Sequence, residues 1–346
     1  MTTTLPLADR VTLKHGAGGR AMRRLIEEVF VEQVAPRDPR VAIGPRAMDD
    51  GAAIKLGDEW LVVTTDSHVV HPIFFPGGDI GRLGVSGTVN DLAVMGATDV
   101  LALTCAVVIE EGFRRTDLER VRDSMRAACV DAGAEILTGD TKVMGRGEID
   151  GLILNTTGIG LARRIVPDAG LRPGDVLIVT GSIGDHGLAV MAARHDLGFD
   201  ATLRSDVAPI NGLVRAALDA GGDAVSAMKD PTRGGLAGAL HEMAGKSGVS
   251  ILIDEPSIPI AAEVRAAAEV LGIDPLYVAN EGKAVIGVRA GAAERVLDAL
   301  RRHPLGRYAA VIGACRAERP GTLVLDTGLG RRLLGEPEGE PLPRIC

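Results

Sequence analysis

Aromatic side chains are scarce: the 346 residues contain five Phe, two Tyr and one Trp. So few rings cannot supply the stacking platforms of a single-strand nucleic-acid binder. Basic charge is also in deficit, with 38 Lys and Arg against 46 Asp and Glu. The resulting net charge of −8 repels a phosphodiester backbone, so nucleic acid is excluded as the main partner. No apolar run reaches the ~18 residues that cross a bilayer; the longest covers 100–109, and no membrane span is expected. The opening MTTTLPLADR lacks the basic and apolar regions of a secretory leader, so a cytoplasmic location is expected. Four cysteines without a CxxC spacing fit neither a disulfide framework nor a zinc site. The absence of a G-x-x-x-x-G-K-[ST] segment rules out a P-loop nucleotide site.

What the chain does have is small apolar residues and glycine. The 46% hydrophobic content is built almost wholly from Ala, Val, Leu and Ile, enough for two cores in a chain of this length. Glycine numbers 45, nearly twice the average share of about 7%, and is spread through periodic apolar segments. That pattern suggests tight turns and close backbone approaches of the kind a phosphate-binding protein needs. The patterning predicts an α/β protein. Strands are expected at 11–15, 52–56, 60–66, 100–109 and 151–161, with helices over about 18–34 and 79–95 and another capped by Thr116. The turn-forming cluster at 167–175 marks a domain boundary, after which strands are expected at 176–180, 223–227, 250–254, 284–288 and 308–312. Five of the nine residues in 335–343 are Gly or Pro, so the end of the chain reads as a tether. Twelve extended residues from Gly335 span up to ~40 Å.

Several residues could carry chemistry. His15-Gly16-Ala17-Gly18-Gly19 opens a helix as a nominal dinucleotide fingerprint, yet no acidic residue ends a second strand about 20 positions later. The turn could still hold a phosphate on its backbone N–H groups, or be a plain strand–helix turn. Acidic residues recur in glycine-rich surroundings: Asp49 and Asp50, Asp66, Asp91, Asp140 and Asp230. Carboxylates at strand ends suit a hard cation bridging a triphosphate. Taken singly, Asp230 before Pro231 also reads as a helix N-cap and Asp66 as a strand end, whereas Asp91 inside an apolar helix needs a partner. Lys142 and Glu281 read alone as surface charges, and His68 and His71 as a metal pair or, with no further His or Cys nearby, as loop residues. Cys105 and Cys129 lie at apolar positions of a strand and a helix, and Cys315 ends a strand. Cys346, at the tip of the tether, is either an incidental thiol, a docking tip or a swinging carrier.

The combination of HGAGGRAM, MDDGAA, TTDSHVVHPIFFPGGDIGRLGVSGTVNDLAVMGA, LTGDTKVM, KDPTRGGLAGALHEMA, YVANEGK and the terminal PRIC resembles the HypE family of hydrogenase maturation factors. These are carbamoyl dehydratases within the aminoimidazole-ribonucleotide-synthetase, or PurM-like, superfamily. The resemblance runs from residue 15 to residue 346, and its 64–97 block and terminal Pro-Arg-Ile-Cys are the most specific parts. It implies a PurM-like fold, with an ATP-binding domain at 1–165 that dimerises through its sheet. A C-terminal α/β domain would follow at 166–327, and a flexible tail at 328–346 would carry the cysteine. It implies ATP held by Lys14, Gly16, Gly18, Gly19, Asp50, Thr65, Asp66, Asn90, Asp91, Gly139, Asp140 and Asp230. Mg²⁺ would sit on Asp50, Asp66, Asp91 and Asp230.

The family's reaction loads Cys346 with a carbamoyl group from the carbamoyltransferase HypF. ATP-driven dehydration then gives an S-cyanide, with Glu281 and Lys142 moving the protons, and the cyano group passes to iron on a HypC–HypD complex. Two other readings keep part of this picture. A selenophosphate- or purine-pathway ligase would want a reactive Cys or Lys in the glycine loop, which holds Lys14 but no cysteine. A non-catalytic assembly protein would use the tail only for docking.

Overall fold

The computed structural model describes residues 10–16, 18–31, 36–199, 202–337 and 345–346. The chain begins with a 3-10 turn, Leu13–Gly16, and α1 (Gly19–Ile26), which runs into a π-helical turn at Glu27–Val31. Five strands follow: β1 (Val41–Ile43), β2 (Ala52–Leu56), β3 (Glu59–His68), β4 (Phe74–Phe75) and β5 (Gly78–Asp79). Next come α2 (Ile80–Val94), β6 (Asp99–Glu110), α3 (Arg115–Ala132), β7 (Ile136–Met144) and β8 (Leu152–Ala162). The first sheet has the order β1-β2-β3-β8-β6-β7, antiparallel except between β6 and β7.

A second half repeats the layering with β9 (Asp175–Val179), α4 (Asp185–Arg194), α5 (Asn211–Gly221), β10 (Val225–Lys229) and α6 (Gly235–Ser247). It continues through β11 (Ser250–Asp254), α7 (Ala262–Leu271), β12 (Val285–Arg289) and α8 (Ala293–Arg302). It closes with β13 (Ala310–Arg316), β14 (Leu323–Asp326) and β15 (Arg331–Leu333). These strands form one sheet in the order β10-β12-β9-β13-β11-β14-β15.

Helix α2 joins the two halves. Asp79 caps it, its carboxylate accepting the Gly81 and Arg82 N–H groups at 2.8 and 3.0 Å. Every residue of α2 is buried except Arg82 and Asp91, because the helix lies between the first sheet and the second half. Its Leu83 and Val85 share a core with Leu188 and Val264, and its Val94 shares another with Ile178 and Val214. Helix α3 buries Val121, Met125, Ala128, Cys129 and Ala132, the 3- and 4-residue spacing that the sequence shows. Strand β8 alternates buried and half-buried residues along its whole length. One face of the first sheet therefore meets helices and the other does not. Leu101, Leu137 and Val143 are exposed on β6 and β7, and β7 is an open edge.

Several expectations needed correction. Among the described residues, 11–15 find no partner strand; they close a turn in which the Thr12 N–H donates to His15 Nδ1 at 2.9 Å. Arg114, not Thr116, occupies the N-cap of α3, with no side-chain cap. Asp230 follows β10 and does not cap α6, which starts beyond the left-handed Gly234. His68 belongs to β3 and is buried. Residues 331–333 still pair with β14, so sheet structure extends into the segment assigned to the tail. Of the tether, 338–344 lie outside the described residues.

Candidate functional site

A cleft of about 1080 Å³ opens between the two halves. Its floor is β3, which brings Thr64, Thr65 and Asp66 to one end of the strand. Asp91 enters from α2, Asp49 and Asp50 from the loop before β2, and Lys229 and Asp230 from the end of β10. Glu281 comes from the turn before β12, and Gly18 and Gly19 line the mouth. Both glycines have positive φ, at 78° and 68°. A Cβ on Gly18 would meet Arg233, and one on Gly19 the Pro337 carbonyl, so this turn must be glycine to lie against the second half.

Asp50, Asp91 and Asp230 each offer a carboxylate oxygen to a common point, all within 4.8 Å of one another. The Thr64 hydroxyl bridges two of them, 2.8 Å from both the Asp50 carbonyl oxygen and Asp91 Oδ2. Burial, followed by the neighbouring carboxylates, pushes Asp91 and Asp230 well above the usual carboxylate range. Burial also raises Asp50, whose Oδ2 is enclosed and has no hydrogen-bond partner. Oxygen donors, crowded negative charge and an orphaned buried oxygen fit a hard divalent cation such as Mg²⁺. Asp66 lines the same cleft but stands outside the close trio.

Lys229 supplies the counter-charge, 2.5 Å from Asp50 Oδ1, 3.3 Å from Glu242 and 3.5 Å from Asp168. Burial opposes its charge, yet the three acids outweigh burial and hold the ammonium well above its ordinary range. Lys246 reaches the same Asp168 at 2.6 Å and the Met48 carbonyl at 2.5 Å. The neighbouring Asp49 is raised to about 7, by burial and then by Asp168 and Asp50. Glu281 is buried, its Oε1 has no partner, and burial followed by Asp230 lifts it well above the usual range.

The chain's own end reaches this cleft. Ile345 is fully buried, and Cys346 lines the cleft with a backbone carboxylate oxygen accepting the Val69 N–H at 3.1 Å. The approach at 334–337 is also fixed. His241 Nε2 donates to the Leu334 carbonyl at 2.8 Å, and the Tyr277 hydroxyl donates to the Gly335 carbonyl at 3.0 Å. The Arg20 N–H donates to the Pro337 carbonyl at 3.3 Å, and Arg23 pairs with Glu336.

Of the residues named from sequence, the structure gathers Gly18, Gly19, Asp50, Thr65, Asp66, Asp91, Asp230, Glu281 and Cys346 in this one cleft. Lys14 and Gly16 sit in the preceding turn, outside the lining. Asn90 turns away: its amide donates to the Glu281 and Ala208 carbonyls at 2.9 and 3.2 Å, and its Oδ1 accepts the Ile210 N–H at 2.8 Å. It staples α2 to the second half and sets the Glu281 backbone. Gly139, Asp140 and Lys142 lie on the exposed edge strand β7, where Lys142 Nζ is 3.6 Å from Asp140 Oδ2 and neither lines the cleft. Sequence reasoning missed Thr64, Lys229 and Asp168. Lys229 adjoins Asp230, and that adjacency was the available signal. Asp168 sits in the turn cluster read only as a boundary, and nothing local distinguishes it.

Comparison with known proteins places this geometry. Residues 48–162 match the AIR synthase related protein N-terminal domain, and 172–326 the corresponding C-terminal domain. The carbamoyl dehydratase HypE of Rhizobium leguminosarum bv. viciae is 48% identical over 344 residues, covering 97% of this chain and 95% of its own length. That of Escherichia coli is 42% identical over 340 residues, covering 98% and 100%. The chain belongs to the HypE family. Members of this family are carbamoyl dehydratases, enzymes of hydrogenase maturation, and the two-domain PurM-like architecture is theirs. Among solved structures, the HypE–HypF complex superposes with a TM-score of 0.83 at 43% identity, over 90% of this chain and 99% of the other. HypE in complex with ATP superposes with a TM-score of 0.80 at 42% identity, over 97% and 100%. No helix among the described residues is long and apolar enough to cross a membrane.

Proposed function

We propose that this HypE-family chain dehydrates an S-carboxamide carried on its own Cys346 to an S-cyanide, supplying the cyano ligand of [NiFe]-hydrogenase iron. The observation that carries the reading is the meeting of Cys346, the enclosed and unpartnered Oε1 of Glu281 and the Asp50–Asp91–Asp230 trio in one cleft. An amide oxygen is a poor leaving group and must first be activated. In this reading it attacks the γ-phosphorus of ATP, releasing ADP, while the ionised Glu281 carboxylate takes one N–H proton and relays it to Lys142, giving an S–C(=NH)–O–phosphate. Glu281 then accepts the remaining N–H proton as the C–O bond breaks, so that S–C≡N and inorganic phosphate leave the step together. Asp50, Asp91 and Asp230, with Asp66 beside them, would hold Mg²⁺, which neutralises charge on the transferred phosphoryl group. The glycine turn at 18–19 would present backbone N–H groups to the nucleotide phosphates.

The same reading takes HypF as carbamoyl donor, in keeping with the solved HypE–HypF complex, a HypC–HypD complex as cyanide acceptor, and the cytoplasm as the place of action. It also includes a homodimer. The open edge of β7 and the exposed Leu101, Leu137 and Val143 beside it form an apolar face that a second copy of the chain would cover. Lys142, exposed on β7, does not line its own cleft, and this reading assigns its proton-relay role to the cleft of the other copy.

Intact mass after incubation with HypF, carbamoyl phosphate and ATP tests the core of this proposal. An adduct of about 43 Da on Cys346 that falls to about 25 Da on dehydration is expected, as for CONH and then CN replacing H. Absence of any adduct, or its persistence in Cys346→Ala, overturns the reading.

A further inference from the structure

His186 is buried in the first turn of α4, its ring edge-on to Phe75 at 5.3 Å between centroids. Its Nε2 lies 2.9 Å from the Ile345 carbonyl oxygen, which can only accept, so Nε2 carries the proton. Burial holds the ring below its ordinary pKa and therefore neutral, leaving Nδ1 as an acceptor. The Ser205 hydroxyl lies 2.8 Å from Nδ1 and, with Nδ1 unprotonated, donates to it. The Ser205 oxygen in turn accepts the Val207 N–H at 3.1 Å, and the Ser205 N–H donates to the Pro76 carbonyl at 2.8 Å. The direction of every bond from the Val207 amide to the Ile345 carbonyl is thereby fixed.

The residue next to Ser205 holds the other partner. Asp206 accepts the N–H groups of Glu281 and Gly282 at 3.1 and 3.3 Å and the Lys283 ammonium at 3.0 Å. A Cβ on Gly282 would collide with the Asp206 carbonyl, so the two segments are in backbone contact. Adjacent residues of one loop thus grip the peptide before the Cys346 thiol and the peptide that bears Glu281.

We propose that His186 and Ser205 are positioning residues that seat the Cys346 thiol in register with Glu281. The inference rests on the carrier role of Cys346 and adds the device that aligns it. Ile345 fills a core site beside Phe75 and Leu188, the Val69 N–H holds a backbone carboxylate oxygen of Cys346, and the His186–Ser205 relay fixes the carbonyl before it. Burial of Ile345 alone allows sliding, whereas two oriented hydrogen bonds to the backbone oxygens of consecutive residues set the thiol's position.

The test compares His186→Phe, His186→Gln and Ser205→Ala in the full chain. The first readout is the rate of iodoacetamide alkylation at Cys346, mapped by mass spectrometry. Cys105, Cys129 and Cys315 serve as internal references, since all three are buried with thiols pushed up in pKa by burial. The second is single-turnover dehydration of the pre-carbamoylated thiol, with ATP affinity measured alongside. His186→Phe is expected to raise alkylation and slow dehydration by about tenfold, the weight of one buried hydrogen bond, at unchanged ATP affinity. His186→Gln, which can place an N–H near the Nε2 position, should recover most of both.

Ser205→Ala should move both readouts in the same direction by a smaller factor, and it decides the matter should His186→Phe not fold. Unchanged alkylation and dehydration in the variants overturn the proposal, as does failure of His186→Gln to differ from His186→Phe. A parent protein that never forms the S-cyanide removes the carrier reading instead, and the alkylation shift still decides the positioning role.

Discussion

At the scale of single residues, the site is a collection of buried charges whose balance is set by neighbours. Asp185 shows the cost of such placement. Burial and then the nearby Asp206 raise its carboxyl to about 6, although Ser182 donates to it at 2.7 Å. A carboxyl whose folded pKa exceeds its unfolded value of 3.8 binds the proton more tightly in the native state. Stability is therefore lost as pH rises from about 4 through 6. Asp185→Asn, which keeps an oxygen for Ser182, should be more stable than the parent above pH 6, by up to about 3 kcal/mol. Below about pH 4 the two should converge, and denaturant unfolding at pH 4 and pH 8 checks this. Single residues were also where the sequence was most readable. Asp91 inside an apolar helix demanded an explanation, and the structure gives it Thr64 and two facing carboxylates. The relation of Lys229 to Asp168 was not readable, because 61 positions separate them and only the fold brings them to 3.5 Å.

Whole elements divide along the same line. Strands with strong apolar pattern, such as β6 and β8, and the amphipathic α3 were legible because burial on one side imposes a period. Strand β7 was not: its sequence, ILTGDTKVM, is half polar and lies on an open edge, so nothing in one protomer forces alternation. That same exposure makes β7 informative about a second copy. If Lys142 serves the other protomer's cleft, Glu281→Gln and Lys142→Ala homodimers should both fail to dehydrate the carbamoylated thiol. A hybrid of the two should regain activity at one of its two sites, where an intact Glu281 meets an intact Lys142. Co-expression with distinct affinity tags and mass analysis of each Cys346 reads the outcome; an inactive hybrid would overturn the placement of Lys142 in the other copy's cleft, and an active Lys142→Ala homodimer would place Lys142 outside the reaction.

For the molecule as a whole, the junction between halves is both core and site. Helix α2 contributes Leu83 and Val94 to two cores and Asp91 to the cleft, while Lys229 and Lys246 tie the second half to Asp50, Asp168 and the Met48 carbonyl. Removing one member of such a buried set leaves uncompensated charge. Lys229→Met is expected to lower stability by about 3–5 kcal/mol without divalent cations. Millimolar Mg²⁺ should then raise the melting temperature of the variant more than that of the parent, since a cation would meet the carboxylates left facing one another. Scanning calorimetry with and without EDTA measures both effects, and equal Mg²⁺ responses would separate Lys229 from the cation site.

The seating of Cys346 in a cleft of its own chain has a kinetic consequence. A reactant delivered by a tether is present at an effective concentration set by geometry, in the millimolar range or above, whatever the abundance of the protein. If Cys346 carries the carboxamide as proposed, dehydration would be first order in loaded chains, with no Michaelis constant for the carboxamide. Dilution leaves it unchanged, and a free thiocarbamate could compete only by outmatching that local concentration. Each chain would hold a single cyano group until an acceptor removed it, so steady output would be governed by unloading and reloading.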